Sequence, residues 1–208
     1  KLRGAIITFV AGQSPDLDRI YDIAKRYGII LIEDCRSSLG GTYKGKKIGN
    51  LRADMTIFST NPSNSKYAIS RSGVIVTNNE DIANRAKLLR THALTTTYDS
   101  YGNLDYVYDV VDIGHKYDLS ELDAAYALAQ LNKTEKFIKR RKEIAKLYEK
   151  RLTGVKHIGI PSHNDEHIFT HFIIKVSRNR DAFARALKER GVSTGLNYIP
   201  SHLLSYYK

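Results

Sequence analysis

Apolar and polar positions follow two periods along the chain, and the first half alternates between them. Ala5 to Val10 is a β-rich apolar run. Ser14 and Pro15 then offer an N-cap followed by proline at a first helical position. Leu17, Ile20, Tyr21 and Ala24 recur at helical spacing until Gly28, so a helix is predicted from about Pro15 to Tyr27. Ile29 to Ile32 is a continuous apolar run, the pattern of a strand buried on both faces of a parallel sheet, with Glu33 and Asp34 at its carboxyl end. Thr42 to Lys47 reads as a short hairpin or loop, and Asp54 to Phe58 as another buried strand ending at Ser59. Val74 to Thr77 forms a further strand, and Asp81 to Thr91 a helix with Ile82, Ala86 and Leu89 on one side. This is an alternating α/β pattern.

The pattern changes after residue 94. Thr95 to Asp112 is a tyrosine-rich connector poor in helical signals. Ser120 then suits the N-cap of a helix carrying Leu122, Ala125, Tyr126, Ala129 and Gln130. From Lys133 to Arg151 nine basic residues alternate with Glu135, Glu143 and Glu149 over an apolar stripe of Phe137, Ile138, Ile144, Ala145, Tyr148 and Leu152. After Gly154 a smaller α+β unit is predicted: a strand near Phe169 to Val176, a helix from Arg180 to Arg190 ended by Gly191, and a strand near Val192 to Tyr198. There is no internal repeat and no low-complexity segment.

Composition narrows the function classes. With 208 residues, 42% apolar and 26% charged, the chain is a folded, soluble protein rather than a disordered one. Its apolar runs are too short to cross a bilayer and no leader pattern opens it, which points to the cytoplasm. The single cysteine, Cys35, excludes an internal disulfide and a thiolate metal site. A net charge of +11 favours anionic partners. The basic helix reads as a solvated face or a nucleic-acid groove, and no nucleic-acid motif accompanies it.

Two residues carry candidate chemistry. Open α/β sheets place ligands beyond the carboxyl ends of their strands, so Asp34 is either a functional acid or the cap of a turn. Lys66 follows the polar stretch N-P-S-N-S and is either a reacting amine or a surface charge.

Five landmarks then occur in one order: I-I-L-I-E-D-C-R-S-S-L-G-G-T-Y-K-G-K-K-I-G (Ile29 to Gly49), F-S (Phe58, Ser59), S-G-V-I-V-T (Ser72 to Thr77), G-H-K-Y-D-L-S-E-L-D-A-A (Gly114 to Ala125) with Gln130-Leu131, and Y-I-P-S-H-L (Tyr198 to Leu203). Together they resemble the DegT/DnrJ/EryC1/StrS sugar aminotransferases, the group that includes perosamine synthases. The resemblance implies an aspartate-aminotransferase-type, fold type I pyridoxal 5'-phosphate fold and a homodimer. It divides the chain into a partial large α/β cofactor domain (1–118), connecting helices (119–152) and a partial small α+β domain (153–208). It also implies a portion before residue 1 that carries a phosphate-binding loop and a ring-stacking aromatic.

The activity implied is transfer of an amino group from an amino acid donor to a keto carbon of a nucleotide-linked sugar. In such a site Lys66 is the Schiff-base lysine and proton carrier, Asp34 pairs with the cofactor's ring nitrogen, Ser59 contacts its phosphate, Ser37 stands near the ring, and Lys116 reaches toward the partner subunit's phosphate. The chain departs from the family pattern in four places, one of them Lys116, which stands where the family often has an asparagine, although some relatives carry lysine there. Asn64, not Lys66, stands two residues after Pro62. Ser70-Arg71-Ser72-Gly73 replaces G-E-G-G. Ser37 replaces the usual glutamine or histidine. A non-catalytic relative that folds and self-associates without the cofactor therefore stays open beside the enzyme reading.

Overall fold

The structure is a computed structural model that describes residues 2–60, 72–96, 108–196 and 198–208. The chain divides into two compact units, one of Lys1–Leu147 with Ser162–Phe172, the other of Tyr148–Pro161 with Ile173–Lys208.

The first unit contains, in chain order, β1 (Gly4–Thr8), α1 (Leu17–Tyr27), β2 (Ile30–Asp34), β3 (Thr42–Tyr43), β4 (Lys46–Lys47), β5 (Met55–Ser59), β6 (Gly73–Val76), α2 (Glu80–Arg90), β7 (Leu94–Thr96), β8 (Tyr108–Val110) and α3 (Glu121–Leu131); α4 (Thr134–Leu152) begins in it. Its central sheet has the order β1-β2-β5-β6. β1, β2 and β5 run parallel and β6 antiparallel to β5, a mixed but parallel-rich sheet. β3 and β4 form the expected hairpin, and β7 and β8 a second antiparallel pair.

Residues alternate across this sheet as the pleat requires. Leu31, Glu33, Thr56 and Phe58 are buried on one face, and Leu17, Tyr21 and Ala24 of α1 join Phe9, Leu31, Cys35, Ile48 and Phe58 in the core. On the opposite face Ile6, Ile30 and Ile75 are more than half exposed. The expectation that Ile29 to Ile32 is buried on both faces is thus corrected: Leu31 is 3% exposed and Ile30 is 53% exposed. Only the face toward α1 has a layer of side chains against it among the described residues.

Local chemistry accounts for most element ends. Gly28, with φ at 62°, takes the left-handed turn that stops α1 and returns its N–H to the Ala24 carbonyl. α1 starts at Leu17, later than expected, because Asp16 rather than Ser14 is the residue before the first turn. The Asn79 side chain accepts the Ile82 N–H at 3.1 Å and opens α2. Ser120 opens α3 as predicted, its hydroxyl oxygen accepting the Asp123 N–H at 3.1 Å.

The second unit holds β9 (Ile158–Gly159), β10 (Lys175–Val176) and α5 (Arg180–Glu189), with β9 and β10 antiparallel. The strand expected over Phe169 to Val176 is reduced to β10. The backbone just before it is committed elsewhere: Ile168 N–H bonds to the Gly12 carbonyl at 3.1 Å and Thr170 N–H to the Ala11 carbonyl at 3.0 Å, within the first unit. Residues 192–196 form no strand either, since the Val192 N–H returns to the Leu187 carbonyl at the end of α5.

Candidate active site

Parallel pairing brings the carboxyl ends of β1, β2 and β5 to one edge of the sheet. Thr8 lies opposite Asp34, and Asp34 opposite Ile57. Residues two apart on a strand share a face, so Ser59 joins Ile57 and Asp34 on the same side. The sheet therefore places Asp34 and Ser59, two of the sequence-predicted site residues, on adjacent strands at one edge and on one face. Phe9 N–H bonds to the Asp34 carbonyl at 3.0 Å and Cys35 N–H to the Ile57 carbonyl at 2.9 Å, which carries the ladder one residue past each strand end and fixes Asp34 from both sides.

Beyond β2 the chain turns tightly, with Ser38 N–H bonding to the Cys35 carbonyl at 2.9 Å and Gly41 N–H to the Ser38 carbonyl at 3.0 Å. Ser37 lies on this turn, half-buried, and its carbonyl packs against Gly12 of the short turn after β1. A Cβ at Gly12 would lie 3.1 Å from that carbonyl and 2.6 Å from Ile168 Cγ1, at a φ of +92°, so glycine is required there.

The Asp34 carboxylate already has a partner. Arg36 Nε donates to Oδ1 at 2.8 Å and Oδ2 at 3.1 Å, while the Asp34 side chain is 15% exposed and that of Arg36 60%. Sequence reasoning missed this contact. The signal was an arginine two residues past the strand-end acid, within the reach of its own side chain.

On the core face of the same strand, Glu33 is 1% exposed and accepts the Tyr21 hydroxyl on one oxygen and the Thr56 hydroxyl on the other, the latter at 2.8 Å. The Arg52 guanidinium stands 4.9 Å from the centre of the Tyr21 ring. Burial pushes the Tyr21 hydroxyl pKa well up, and the bond to Glu33 pushes it further. Burial likewise pushes the Cys35 thiol up, with the Glu33 and Asp34 charges adding to it, so Cys35 is a core residue and not a nucleophile.

Lys116 lies apart from the strand-end edge in chain position. It is exposed and makes an isolated antiparallel bridge with Thr91, the residue that ends α2. Its neighbours are anchored there too, His115 N–H to the Leu89 carbonyl at 2.7 Å and Tyr117 N–H to the Arg90 carbonyl at 2.9 Å. The glycine of G-H-K-Y follows from this packing: a Cβ on Gly114 would lie 2.3 Å from backbone atoms of His92 and Ala93. Lys66, Asn64 and the residues up to Arg71 lie outside the described residues.

Pyridoxal phosphate needs a carboxylate for its ring nitrogen and donors for its phosphate, and the donor set fits. Asp34 supplies an acceptor and Ser59 a hydroxyl, on a common face of the sheet edge where open α/β folds take ligands. A carboxylate has about four lone-pair sites, so one guanidinium does not exhaust it. Among the described residues there is no cluster of His, Cys, Asp and Glu suited to a metal, and no helix long and apolar enough to cross a membrane.

Known structures agree with this architecture. PseC of Helicobacter pylori, an aminotransferase involved in pseudoaminic acid biosynthesis, matches with a TM-score of 0.86 at 22% identity, over 99% of this chain and 55% of its own. DesV of S. venezuelae, solved with a ketimine intermediate, matches at 0.83 and 26% identity, over 99% and 53%. AtS13 of Actinomadura melliaura matches at 0.82 and 28% identity, over 99% and 56%. The chain thus spans about half the length of the structures it matches, and its fold is the corresponding portion of a fold type I pyridoxal phosphate-dependent transferase. The family model for DegT/DnrJ/EryC1/StrS aminotransferases matches residues 2–208, so by sequence and by fold alike the chain belongs to the DegT/DnrJ/EryC1/StrS aminotransferase family.

Proposed function

We propose that this chain is part of a pyridoxal phosphate-dependent sugar aminotransferase of the perosamine-synthase kind, cytoplasmic and homodimeric, that moves an amino group from an amino acid donor to the keto carbon of a nucleotide-linked sugar. The observation that carries the reading is the placement of Asp34 and Ser59 on one face of the strands' carboxyl edge, in a chain of this family. Pyridoxal phosphate, when bound, supplies an electron sink that makes a proton on the donor's α-carbon removable.

The chain's residues then divide the work. Asp34 offers its carboxylate to the ring nitrogen, and Ser59 donates its hydroxyl to a phosphate oxygen. Ser37 would stand near the ring, and Lys116 would reach toward the phosphate held by the partner subunit. Lys66 would hold the cofactor through its amine, and the same Nζ, once uncharged, would serve as the proton carrier. The excess of positive charge, +11, suits a diphosphate-bearing substrate.

One observation favours a second reading, a relative that folds without turning over: Arg36 is seated on the Asp34 carboxylate. Asn64 at the usual lysine position and the altered Ser70 to Gly73 element point the same way. Borohydride reduction of the chain mixed with pyridoxal phosphate, followed by peptide mapping, separates the two. A single modified residue at Lys66, abolished by Lys66→Ala, is the expected result for the enzyme. Labelling scattered over surface lysines, or none, refutes it.

A further inference from the structure

We infer that Glu33 is a positioning residue for the cofactor: its buried carboxylate locks β2 to β5 from the core side of the sheet, and so sets how Asp34 and Ser59 are presented together on the other side. The inference rests on the cofactor reading above and deepens it, by assigning a role to a side chain on the opposite face from the site.

Glu33 and Thr56 lie directly opposite each other on the two strands. Their side chains meet on the core face, where Thr56 Oγ1 donates to one carboxylate oxygen at 2.8 Å and the Tyr21 hydroxyl of α1 donates to the other. Glu33 is 1% exposed, and Tyr21 and Thr56 are 4% exposed each, so water has little access to any of the three. The next residue on each strand turns to the opposite face. There Asp34 stands opposite Ile57, with Ser59 two positions further along β5. The ladder between the two strands is short, three residue pairs from Ile32 with Met55 to Asp34 with Ile57, and Glu33 with Thr56 is its middle rung.

A carboxylate is a costly choice for this position. Burying one loses its hydration, which an aliphatic side chain of similar size does not have to give up, so packing alone does not account for it. What the carboxylate adds is direction. An aliphatic pair tolerates sliding, whereas a hydroxyl displaced from its partner leaves a buried oxygen without a donor. A slip of β5 against β2 by one residue would also carry Ser59 to the core face. The bonds to Thr56 and Tyr21 therefore resist the movements of β2 against β5 and α1 that would part the groups meant for the two ends of one rigid cofactor, its ring nitrogen at Asp34 and its phosphate at Ser59. Without the lock each contact can form, but the two no longer form together.

The test compares two ligands that differ only at the phosphate end. Pyridoxal phosphate and pyridoxal are titrated into the parent chain and into Glu33→Leu, Thr56→Val and Thr56→Ser, under conditions where circular dichroism shows each chain folded, and the dissociation constants are read from the cofactor's absorbance. Thr56→Val keeps the outline of the side chain and carries the test if Glu33→Leu does not fold. The ratio of the two constants measures what the phosphate contributes while the ring is engaged. The expected result is a ratio about tenfold smaller in Glu33→Leu and Thr56→Val, the equivalent of about one charge-assisted hydrogen bond to the phosphate, and a parental ratio in Thr56→Ser, which keeps the hydroxyl. A merely structural role lowers the folded fraction and weakens both ligands by one factor. A ratio that stays parental in Thr56→Val, or falls as far in Thr56→Ser, therefore overturns the role of Glu33 and leaves the cofactor reading standing. A parent that binds neither ligand, or does not prefer the phosphorylated one, overturns both.

Discussion

Replacing Tyr21 by phenylalanine keeps the ring that packs in the core and deletes the hydroxyl that bonds to Glu33. Tyr21 is 4% exposed and Glu33 1%, so water does not replace the lost donor. Hydrogen bonds to a charged group contribute about 1.5–3 kcal/mol, and an orphaned buried acceptor adds its own desolvation cost. A loss of about 2 kcal/mol is expected, which at a slope of about 2 kcal/mol per molar lowers the urea midpoint by about 1 M. The chain has no tryptophan, so far-UV circular dichroism is the natural probe. Alkaline pH gives a second, independent reading. The Tyr21 hydroxyl is shifted above its ordinary value of 10.0 by burial and by Glu33, so the folded state favours the protonated phenol. Its contribution is complete below pH 10 and drains as pH rises through the higher folded value. The gap between parent and variant should therefore narrow at strongly alkaline pH; Cys35 titrates in both and cancels. A variant as stable as the parent at neutral pH, or a gap that does not change with pH, would refute the reasoning.

Three further outcomes are expected. Gly12→Ala forces a left-handed φ on alanine and drives a Cβ to 2.6 Å from Ile168 Cγ1, which should cost about 3 kcal/mol in urea or thermal unfolding. Burial pushes the Glu166 carboxyl up, but the backbone N–H groups of Gly45 and Lys44 outweigh it and hold the pKa below its ordinary 4.5. Its stabilisation is present above that pH and lost as pH falls below it, so the stability of Glu166→Gln should fall less steeply in acid than that of the parent. Ser120→Ala removes the cap of α3 and should cost about 1 kcal/mol, with faster hydrogen exchange at the Asp123 amide as the local sign.

Local signals in the sequence were reliable where a single residue's chemistry decides. Gly28 stops α1 because its φ must be positive, Ser120 caps α3 through its own hydroxyl, and short apolar runs locate β1, β2 and β5 to within a residue or two. The strand-end position of Asp34 was legible for the same reason, as was its family landmark. Features decided by distant or three-dimensional partners were not. Whether Ile30 meets another layer depends on what packs on the sheet, not on the run Ile29 to Ile32 itself. The expected strand at Phe169 fails because Ala11 and Gly12 claim the preceding amides from more than a hundred and fifty positions away. Arg36 was visible as a residue, but its clasp on Asp34 is a choice of rotamer, which no periodicity encodes.

The two compact units are not consecutive along the chain: 148–161 belong to the second, 162–172 return to the first, and 173–208 go back to the second. During synthesis, at about 5–20 residues per second, the first unit must therefore wait until position 172 has cleared the ribosome before its last backbone bonds can close. A nascent polypeptide halted at 147 would hold the β1-β2-β5-β6 strands while its Ala11 and Gly12 carbonyls still await the amides of Thr170 and Ile168, and would be open to proteases and chaperones at that spot.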